Sequence, residues 1–469
     1  MGEEITLPSQ AGKIRKADLF RVRVQDNGIG IMPEKVARSL GKLLFGSKLF
    51  TMKQTRGQQG IGISAVILYS QLSSLRPATV ISKVAGSEKA RRVALKIDVE
   101  RNEPIIVEES DIQWDVEHGT SVEVFLPGRY DEKLERYIKE LSIGNPNARI
   151  LVMKKIADTN SEIVVARTSQ IIPREAHEIK PHLTSVDPGI LQRMAEMDDD
   201  CRTIASFLAK HFAVMSPKTA RKILQRAMLP PSLKPRSIKA DRILKAARRM
   251  NLRRPRLDVL SNIGENELKA SIRNLFPDAE FIEAVSRPPW SYQGIPFQIE
   301  AAAAAGGSSV QNYSQQKKMP VIRLANRVPL PYDSADCELY KAVVDIDWKN
   351  YGLETTDGGE AAEPIVFVTS LVASKVPYSN PGKFAVASVL EIHEELTLAL
   401  QELGRRIREY LHRKRREESV AKRYEYFHGY YEILSEEVRQ ITGVENLSFN
   451  STLERIFSQF PPDREEAHA

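Results

Sequence analysis

The run Phe20-Arg21-Val22-Arg23-Val24 alternates apolar and polar residues and then gives way to Gln25-Asp26-Asn27-Gly28-Ile29-Gly30. A period of two puts one side of a strand on a core, so the Asp26 carboxylate is delivered rigidly at a strand end. The glycines that follow let backbone come close to a ligand, and an acid so placed could accept a hydrogen bond from an adenine amino group. An Asp-Asn-Gly turn joining two structural elements has the same sequence, so this string leaves both readings open. Further alternation at Val93-Leu95-Ile97-Val99 and Val122-Val124-Leu126, with helical stretches between and after, predicts an α+β domain with an antiparallel or mixed sheet.

Thirty residues after Asp26, Arg56-Gly57-Gln58-Gln59-Gly60-Ile61-Gly62-Ile63 runs straight into an apolar helix, Ser64 to Leu72. Backbone amides at a helix N-terminus can cradle phosphates. A flexible turn would look alike, whereas a dinucleotide fingerprint is excluded because no parallel-strand unit with a ribose-binding acid surrounds the glycines. Between the two loops, Ser47 and Lys48 offer a hydroxyl and an ammonium to ribose or phosphate. After them, Gly119-Thr120 leads into the strand Ser121 to Leu126, where the threonine could touch an adenine site.

From about Ile190 to Phe276 the pattern turns helical, with breaks at Ser216-Pro217, Pro230-Pro231 and Pro255. Arg287-Pro288-Pro289-Trp290 and the low-complexity stretch Ala301 to Ser309 are expected to interrupt regular structure. Strand-like runs return at Val321 to Leu324, Val343 to Ile346 and Ile365 to Val372, which predicts a second α+β domain. It closes with a helix whose apolar residues Ile392, Leu396, Leu400, Leu403, Ile407 and Leu411 keep helical spacing among many arginines, suited both to packing and to an acidic partner.

A chain of 469 residues with 42% hydrophobic content has room for about three packed domains. No run of eighteen apolar residues occurs and the N-terminus has no secretory core, so the expectation is a protein neither exported nor membrane-spanning. The opening Met1-Gly2 fits a bare myristoylation pattern without any second membrane signal, and is discounted. Cys201 and Cys337 lie far apart with no C-x-x-C and no histidine at ligand spacing, which predicts free thiols and no structural zinc. Residues 234 to 256 hold ten lysines and arginines against Asp241 alone, a local charge of +9 against +7 for the whole chain. The basicity is therefore one patch, either a polyanion-binding surface or a solvated helix face. Asp198-Asp199-Asp200 and Asp345-x-Asp347 read as solvated turn or helix-start residues rather than metal ligands.

Taken together, D-x-G-x-G, then G-x-x-G-x-G, then Gly-Thr before a strand resembles the Bergerat-type nucleotide fold of the GHKL group, which includes gyrase B, heat-shock protein 90, histidine kinases and mismatch-repair ATPases. Longer strings are similar to topoisomerase VI B subunits. They are Leu44-Phe45-Gly46-Ser47-Lys48, Arg56 to Ser64, Asn145-Pro146-Asn147-Ala148-Arg149, Ile263-Gly264-Glu265, Arg287 to Trp290, Leu324 to Leu330 and Trp348-Lys349-Asn350-Tyr351.

The resemblance implies a nucleotide-binding α/β sandwich over 1–180, a small helix-two-turns-helix-like domain over 181–265, and an α+β transducer domain over 266–469 ending in a long helix. It implies the ATP-binding subunit of a type IIB, archaeal-type DNA topoisomerase that gates strand passage with a DNA-cleaving A subunit, ATP and Mg2+ being the cofactors. Asp26, Gly28, Gly30 and Thr120 would lie at the base, and Ser47, Lys48, Arg56, Gly57, Gln58, Gln59, Gly60, Ile61, Gly62 and Ile63 at ribose and phosphates. Lys349 would be the catalytic lysine reaching the γ-phosphate. Arg248, Arg249, Arg253 and Arg254 would meet duplex DNA, two B subunits would pair on ATP, and an A2B2 heterotetramer would work in the cytoplasm, on the nucleoid, or in a nucleus. A kinase or chaperone on the same nucleotide fold fits neither the helical domain nor W-K-x-Y.

In that family a helix ahead of D-x-G-x-G supplies a glutamate base and an asparagine magnesium ligand. Only 25 residues precede Asp26 here, without a helical pattern, and Glu3, Glu4 and Asn27 do not suit those roles. The expectation is a sequence that starts late or a natural variant. Residues 1 to 469 alone would then bind ATP weakly without turnover, and the competing function is a non-hydrolysing DNA-binding scaffold for an A-type partner.

Overall fold

The computed structural model describes residues 3–7, 15–44, 52–57, 60–156, 159–315, 319–332, 335–354 and 363–443. The first unit contains strands β1 (Glu3–Leu7) and β2 (Arg15–Asp26), helices α1 (Pro33–Gly41) and α2 (Gly62–Ser74), and strands β3 (Ala78–Lys83), β4 (Ala90–Asp98), β5 (Glu103–Ile112) and β6 (Gly119–Gly128). The six strands make one antiparallel sheet in the order β1-β2-β6-β3-β4-β5. Val36 and Leu40 of α1 and Ile67 of α2 close its core against Val80, Val93, Leu95 and Ile97.

The opening residues, expected to be an unpatterned tail, include a strand. β1 pairs with β2 from Glu3↔Leu19 to Leu7↔Arg15, and β2 starts five residues before Phe20. Backbone pairing fixes this hairpin, and side-chain alternation gives no sign of it.

Helix α3 (Lys133–Ile143) and a hairpin of β7 (Ile150–Ile156) and β8 (Thr159–Val165) lead to four short helices, α4 (Pro188–Glu196), α5 (Ile204–His211), α6 (Pro217–Arg226) and α7 (Ala240–Arg248). Their starts are written in the sequence. Asp187 accepts from Ile190 N at 2.8 Å, Thr203 and Ser206 form a capping box, and Ser216 caps Thr219 N with Pro217 at the first helical position. The expected break at Ser216-Pro217 is thus the start of α6. Leu191, Phe207, Leu208, Ile223, Leu224, Ile243 and Leu244 fill a core private to this unit.

The last unit begins with α8 (Glu265–Leu275) and continues through β9 (Phe281–Ser286), β10 (Trp290–Tyr292), β11 (Ile295–Ala305), α9 (Ser308–Ser314), β12 (Val321–Ala325), β13 (Val328–Pro329), α10 (Glu338–Val344), β14 (Ile365–Ala373) and α11 (Leu390–Thr442). Its sheet is mixed, in the order β10-β11-β14-β12-β13 with β9 also on β11, and β12 runs parallel to β14. One face packs on α8, α9 and Ile143 of α3, so α3 joins this core rather than that of the first sheet. The other face packs on α10 and on Ile392, Leu396, Leu400, Leu403, Ile407 and Leu411 of α11. Beyond Leu411 the long helix leaves the body, and Tyr426, Tyr430, Ile433 and Ile441 are exposed.

Two expectations fail here. Ala301 to Ala305 is the fully buried end of the central strand β11, because only alanine-sized side chains let helices come close on both faces of the sheet. Val343 and Val344 form the end of α10 instead of starting a strand. Leu339, Ala342 and Val343 are buried at helical spacing, which a short apolar run does not reveal. Otherwise the α+β architecture is the expected one: a sheet-and-helix unit, a small helical unit, and a second sheet ending in a long helix. Among the described residues no helix is long and apolar enough to cross a membrane.

Candidate nucleotide site and its attachment

Asp26 is the last residue of β2 and is exposed. Its Oδ1 accepts from Gly28 N at 2.8 Å and from Thr120 N at 3.3 Å, so the carboxylate is held by two backbone amides. Thr120 lies opposite it on β6, and the Thr120 hydroxyl is 3.3 Å from Ser82 Oγ on β3. Ser82 also accepts from Ile31 N at 2.7 Å, which locks the end of the glycine turn to the sheet.

Two glycines here lie in close backbone contact with their neighbours. A Cβ on Gly30 would sit 2.2 Å from Lys83 O, and one on Gly119 would sit 2.2 Å from Asp26 O. With φ at +75° and +146°, both residues are where they are so that backbone can lie on backbone. That close fit is what aims Asp26.

The glycine-rich loop enters α2, whose N-terminus has no side-chain cap. Gly60 sits at φ +65°, and a Cβ on Gly57 or Gly62 would meet nothing within 4 Å, so the loop faces open space. Ser64 is turned inward, donating to Lys42 O at 3.1 Å. Phe45, Gly46, Ser47, Lys48, Gln58 and Gln59 lie outside the described residues.

The stem of that loop, 52–57, is bound to the segments that flank the helical unit, at Ile179 and Ser261, and to the last unit. Met52 bridges Ile179, and Gln54 exchanges two hydrogen bonds with the Ser261 backbone, at 2.9 and 2.8 Å. Asn326 Nδ2 donates to Thr55 O at 3.0 Å while its Oδ1 accepts from Ala373 N at 2.8 Å. The Arg56 guanidinium donates to Asn145 Oδ1, and Asn145 Nδ2 donates onward to Leu141 O at 2.7 Å and Arg327 O at 3.2 Å. Asn326 and Arg327 both have positive φ, +47° and +69°, as the two-residue turn between β12 and β13. Sequence reading missed this: the motifs Asn145 to Arg149 and Leu324 to Leu330 converge on the root of the phosphate loop.

It also missed Lys383. From the loop after β14, its ammonium donates to Arg56 O at 2.8 Å. Lys383 is half-buried at φ +59°, a conformation uncommon outside glycine, and burial lowers its pKa below the ordinary lysine value. The only available signal was a lysine beside glycine in Tyr378-Ser379-Asn380-Pro381-Gly382-Lys383, a loop string.

Lys349 is elsewhere. It stands exposed on a single 3-10 turn, Trp348–Tyr351, where Asp347 Oδ1 accepts its backbone N–H at 3.3 Å. Trp348 is buried 4.4 Å from the Phe367 ring, and Tyr351 rests on Gly404 of α11. The W-K-x-Y string therefore anchors the long helix to the second sheet.

On the helical unit, α7 buries Ile243, Leu244 and Ala247 and turns Arg242, Lys245 and Arg248 outward. Lys245, Arg248 and Arg249 line an open groove of about 400 Å³ with Pro188, Asp241 and Leu244. Arg253, Arg254 and Arg256 are all exposed; the Arg254 guanidinium lies 3.5 Å over the Trp290 ring, and Arg256 pairs with Asp258 at 2.8 Å. Of the acidic clusters, Asp199 and Asp200 are exposed ion-pair partners of Arg236 and Lys210, but the Asp198 side chain is only 4% exposed.

Residues 255–423 match the sequence profile described as "Topoisomerase VI B subunit, transducer". The B subunit of type 2 DNA topoisomerase 6 from Archaeoglobus fulgidus is 35% identical over 466 residues, 98% of this chain and 76% of the relative. The chain belongs to the family of topoisomerase VI B subunits. The same-named protein of Sulfurisphaera tokodaii is 36% identical, covering 86% of this chain and 75% of that one, and that of Methanococcoides burtonii is 34% identical, covering 86% and 65%. A solved B-subunit of DNA gyrase from Myxococcus xanthus is a distant likeness, with TM-score 0.37 and 11% identity over 86% of this chain and 83% of that one. For a topoisomerase VI B-type chain, the transducer match covers the sheet, W-K-x-Y, Lys383 and the packed half of α11.

Proposed function

We propose that this chain is the ATP-binding B subunit of a type IIB topoisomerase, gating passage of one DNA duplex through another that an A-type partner cuts. The observation that carries this reading is Asp26: an exposed carboxylate at a strand end, its Oδ1 fixed by two amides, which leaves Oδ2 to receive an adenine amino group. Thr120 stands beside it. The backbone from Gly57 to Ile63, at the uncapped N-terminus of α2, takes the phosphates. Ser47, Lys48, Gln58 and Gln59 join them on the family resemblance. A Mg2+ ion bound with the nucleotide would supply charge neutralisation at the phosphates beside the N-terminus of α2.

For the terminal phosphate, Lys383 is favoured over Lys349, because its desolvated ammonium already reaches the Arg56 carbonyl. A γ-phosphate would draw Lys383 from that carbonyl and shift the second sheet against the first, a differential contact that ADP does not offer. Arg248, Arg249 and Arg253 are proposed to bind duplex phosphates without reading sequence. The exposed part of α11 is proposed to dock the A-type partner in an A2B2 assembly, with the B subunits pairing on ATP. Such an enzyme works wherever the chromosome lies.

The test is relaxation of supercoiled DNA by the full-length chain with its A-type partner. Asp26→Ala should abolish ATP-dependent relaxation and steady-state hydrolysis together. Undiminished relaxation by that variant would reject the nucleotide site, and relaxation or DNA binding without hydrolysis would favour the scaffold reading.

A further inference from the structure

We propose that Asp198, Cys201 and His211 form a zinc-class metal site in the helical unit. The ligand atoms of the three residues lie within 4.8 Å of one another, although nine residues separate Cys201 from His211. The sequence spacing suggested no such site, and the fold supplies it by bringing the turn after α4 against the last turn of α5.

The donors are held in place. Asp198 is nearly fully buried at its side chain; its Oδ2 accepts from Cys201 N at 3.1 Å and its Oδ1 lies 3.0 Å from His211 Nε2. The His211 ring sits 5.0 Å from that of Phe207, a core residue. Carboxylate, thiolate and imidazole together are a ligand set for zinc or cobalt, whereas magnesium and calcium require oxygen donors throughout. Tetrahedral zinc spaces such donors by about 3.4–3.6 Å, so the Asp198–His211 pair, now 3.0 Å apart, would open slightly on binding. Binding releases the Cys201 thiol proton to solvent, and His211 must present Nε2 as a lone pair with its proton on Nδ1. Thiolate and carboxylate then neutralise the dication. Lys210, 4.0 Å from Asp198 Oδ1, keeps its shorter 2.6 Å bond to Asp200.

The site has a structural consequence for the basic face. Asp199, next to the ligand Asp198, pairs with Arg236 of the basic segment at 2.7 Å. Loading the site would fix the turn beneath that segment in a unit with a small core.

The experiment strips the purified full-length chain with chelator and titrates it with Zn2+ and, in parallel, Co2+. One equivalent should bind, with a cobalt thiolate charge-transfer band and a rise in the unfolding temperature. Cys337→Ser should keep the band, while Cys201→Ser should lose it and weaken zinc binding at least about a hundredfold, as His211→Gln also should. No band and no zinc uptake in the wild-type chain would overturn the site, as would a band that survives Cys201→Ser. Because the wild-type spectrum and the Cys337→Ser control decide the matter, misfolding of a ligand variant does not rescue the proposal.

Discussion

The two sheets of this molecule differ in what they leave open. In the second, every residue of β12 and β14 is buried, because helices cover both faces. In the first, Val24 of β2 is 68% exposed two residues from Asp26, and the ends of β2, β3 and β6 meet in a turn of backbone packed on backbone. One sheet is a rigid platform and the other a presenting surface. The glycine-rich loop belongs to the first by sequence, yet its stem is hydrogen-bonded to a turn and a loop of the second, through Asn326 and Lys383. On the proposed reading, attachment of that kind would make nucleotide occupancy a force on the platform, and through the platform on α11.

The contrast can be broken first at its extremes. Phe367→Ala, at a fully buried ring stacked near Trp348, should cost about 3–5 kcal/mol of stability, and Val24→Ala should stay within about 0.5 kcal/mol. Urea or thermal unfolding reads both, and similar costs would mean that the two sheets are not differently committed.

The attachment itself gives an intermediate effect. Asn326→Ala leaves Ala373 N and Thr55 O without their partner and should cost about 1–3 kcal/mol. Nucleotide affinity should fall with it, because the loop root is released. Loss of stability with unchanged nucleotide binding would confine Asn326 to the platform.

The same distinction between open and committed groups runs through the basic segment. Arg248→Gln with Arg249→Gln should lower duplex affinity alike for unrelated sequences and flatten the salt slope by about 0.9 per lost phosphate contact. Arg254→Gln should change it less, its guanidinium being stacked on Trp290. Equal slopes for the Arg248/Arg249 double variant and the Arg254 variant, measured by fluorescence anisotropy over a salt series, would remove the distinction.

What was legible in the sequence follows from which forces leave a local signature. The helical spacing of Ile392 to Leu411 and the break at Ser216-Pro217 are one-dimensional patterns that the structure carries, whereas the alternation before Asp26 gives the strand β2 but not the expected buried side, since Val22 and Val24 are exposed. The buried strand end Ala301–Ala305 and the helix ending at Val344 carry no distinctive period, since their states are set by what packs on them. Lys383 was invisible for a related reason. It sits in a loop, far from Arg56 in sequence, and only the folded second sheet brings the two together. Lys349 drew attention through its neighbours, and its tryptophan and tyrosine turn out to hold the long helix.

The central claim is that a nucleotide held at Asp26 is sensed from the second sheet by Lys383. It is tested most directly by measuring ATP-analogue and ADP affinities for the full-length wild-type chain and for Lys383→Ala and Lys349→Ala. The account predicts that the wild-type chain prefers the triphosphate, that Lys383→Ala loses this preference while keeping ADP binding, and that Lys349→Ala retains it. An unaltered triphosphate preference in Lys383→Ala, or its loss in Lys349→Ala instead, would contradict the account.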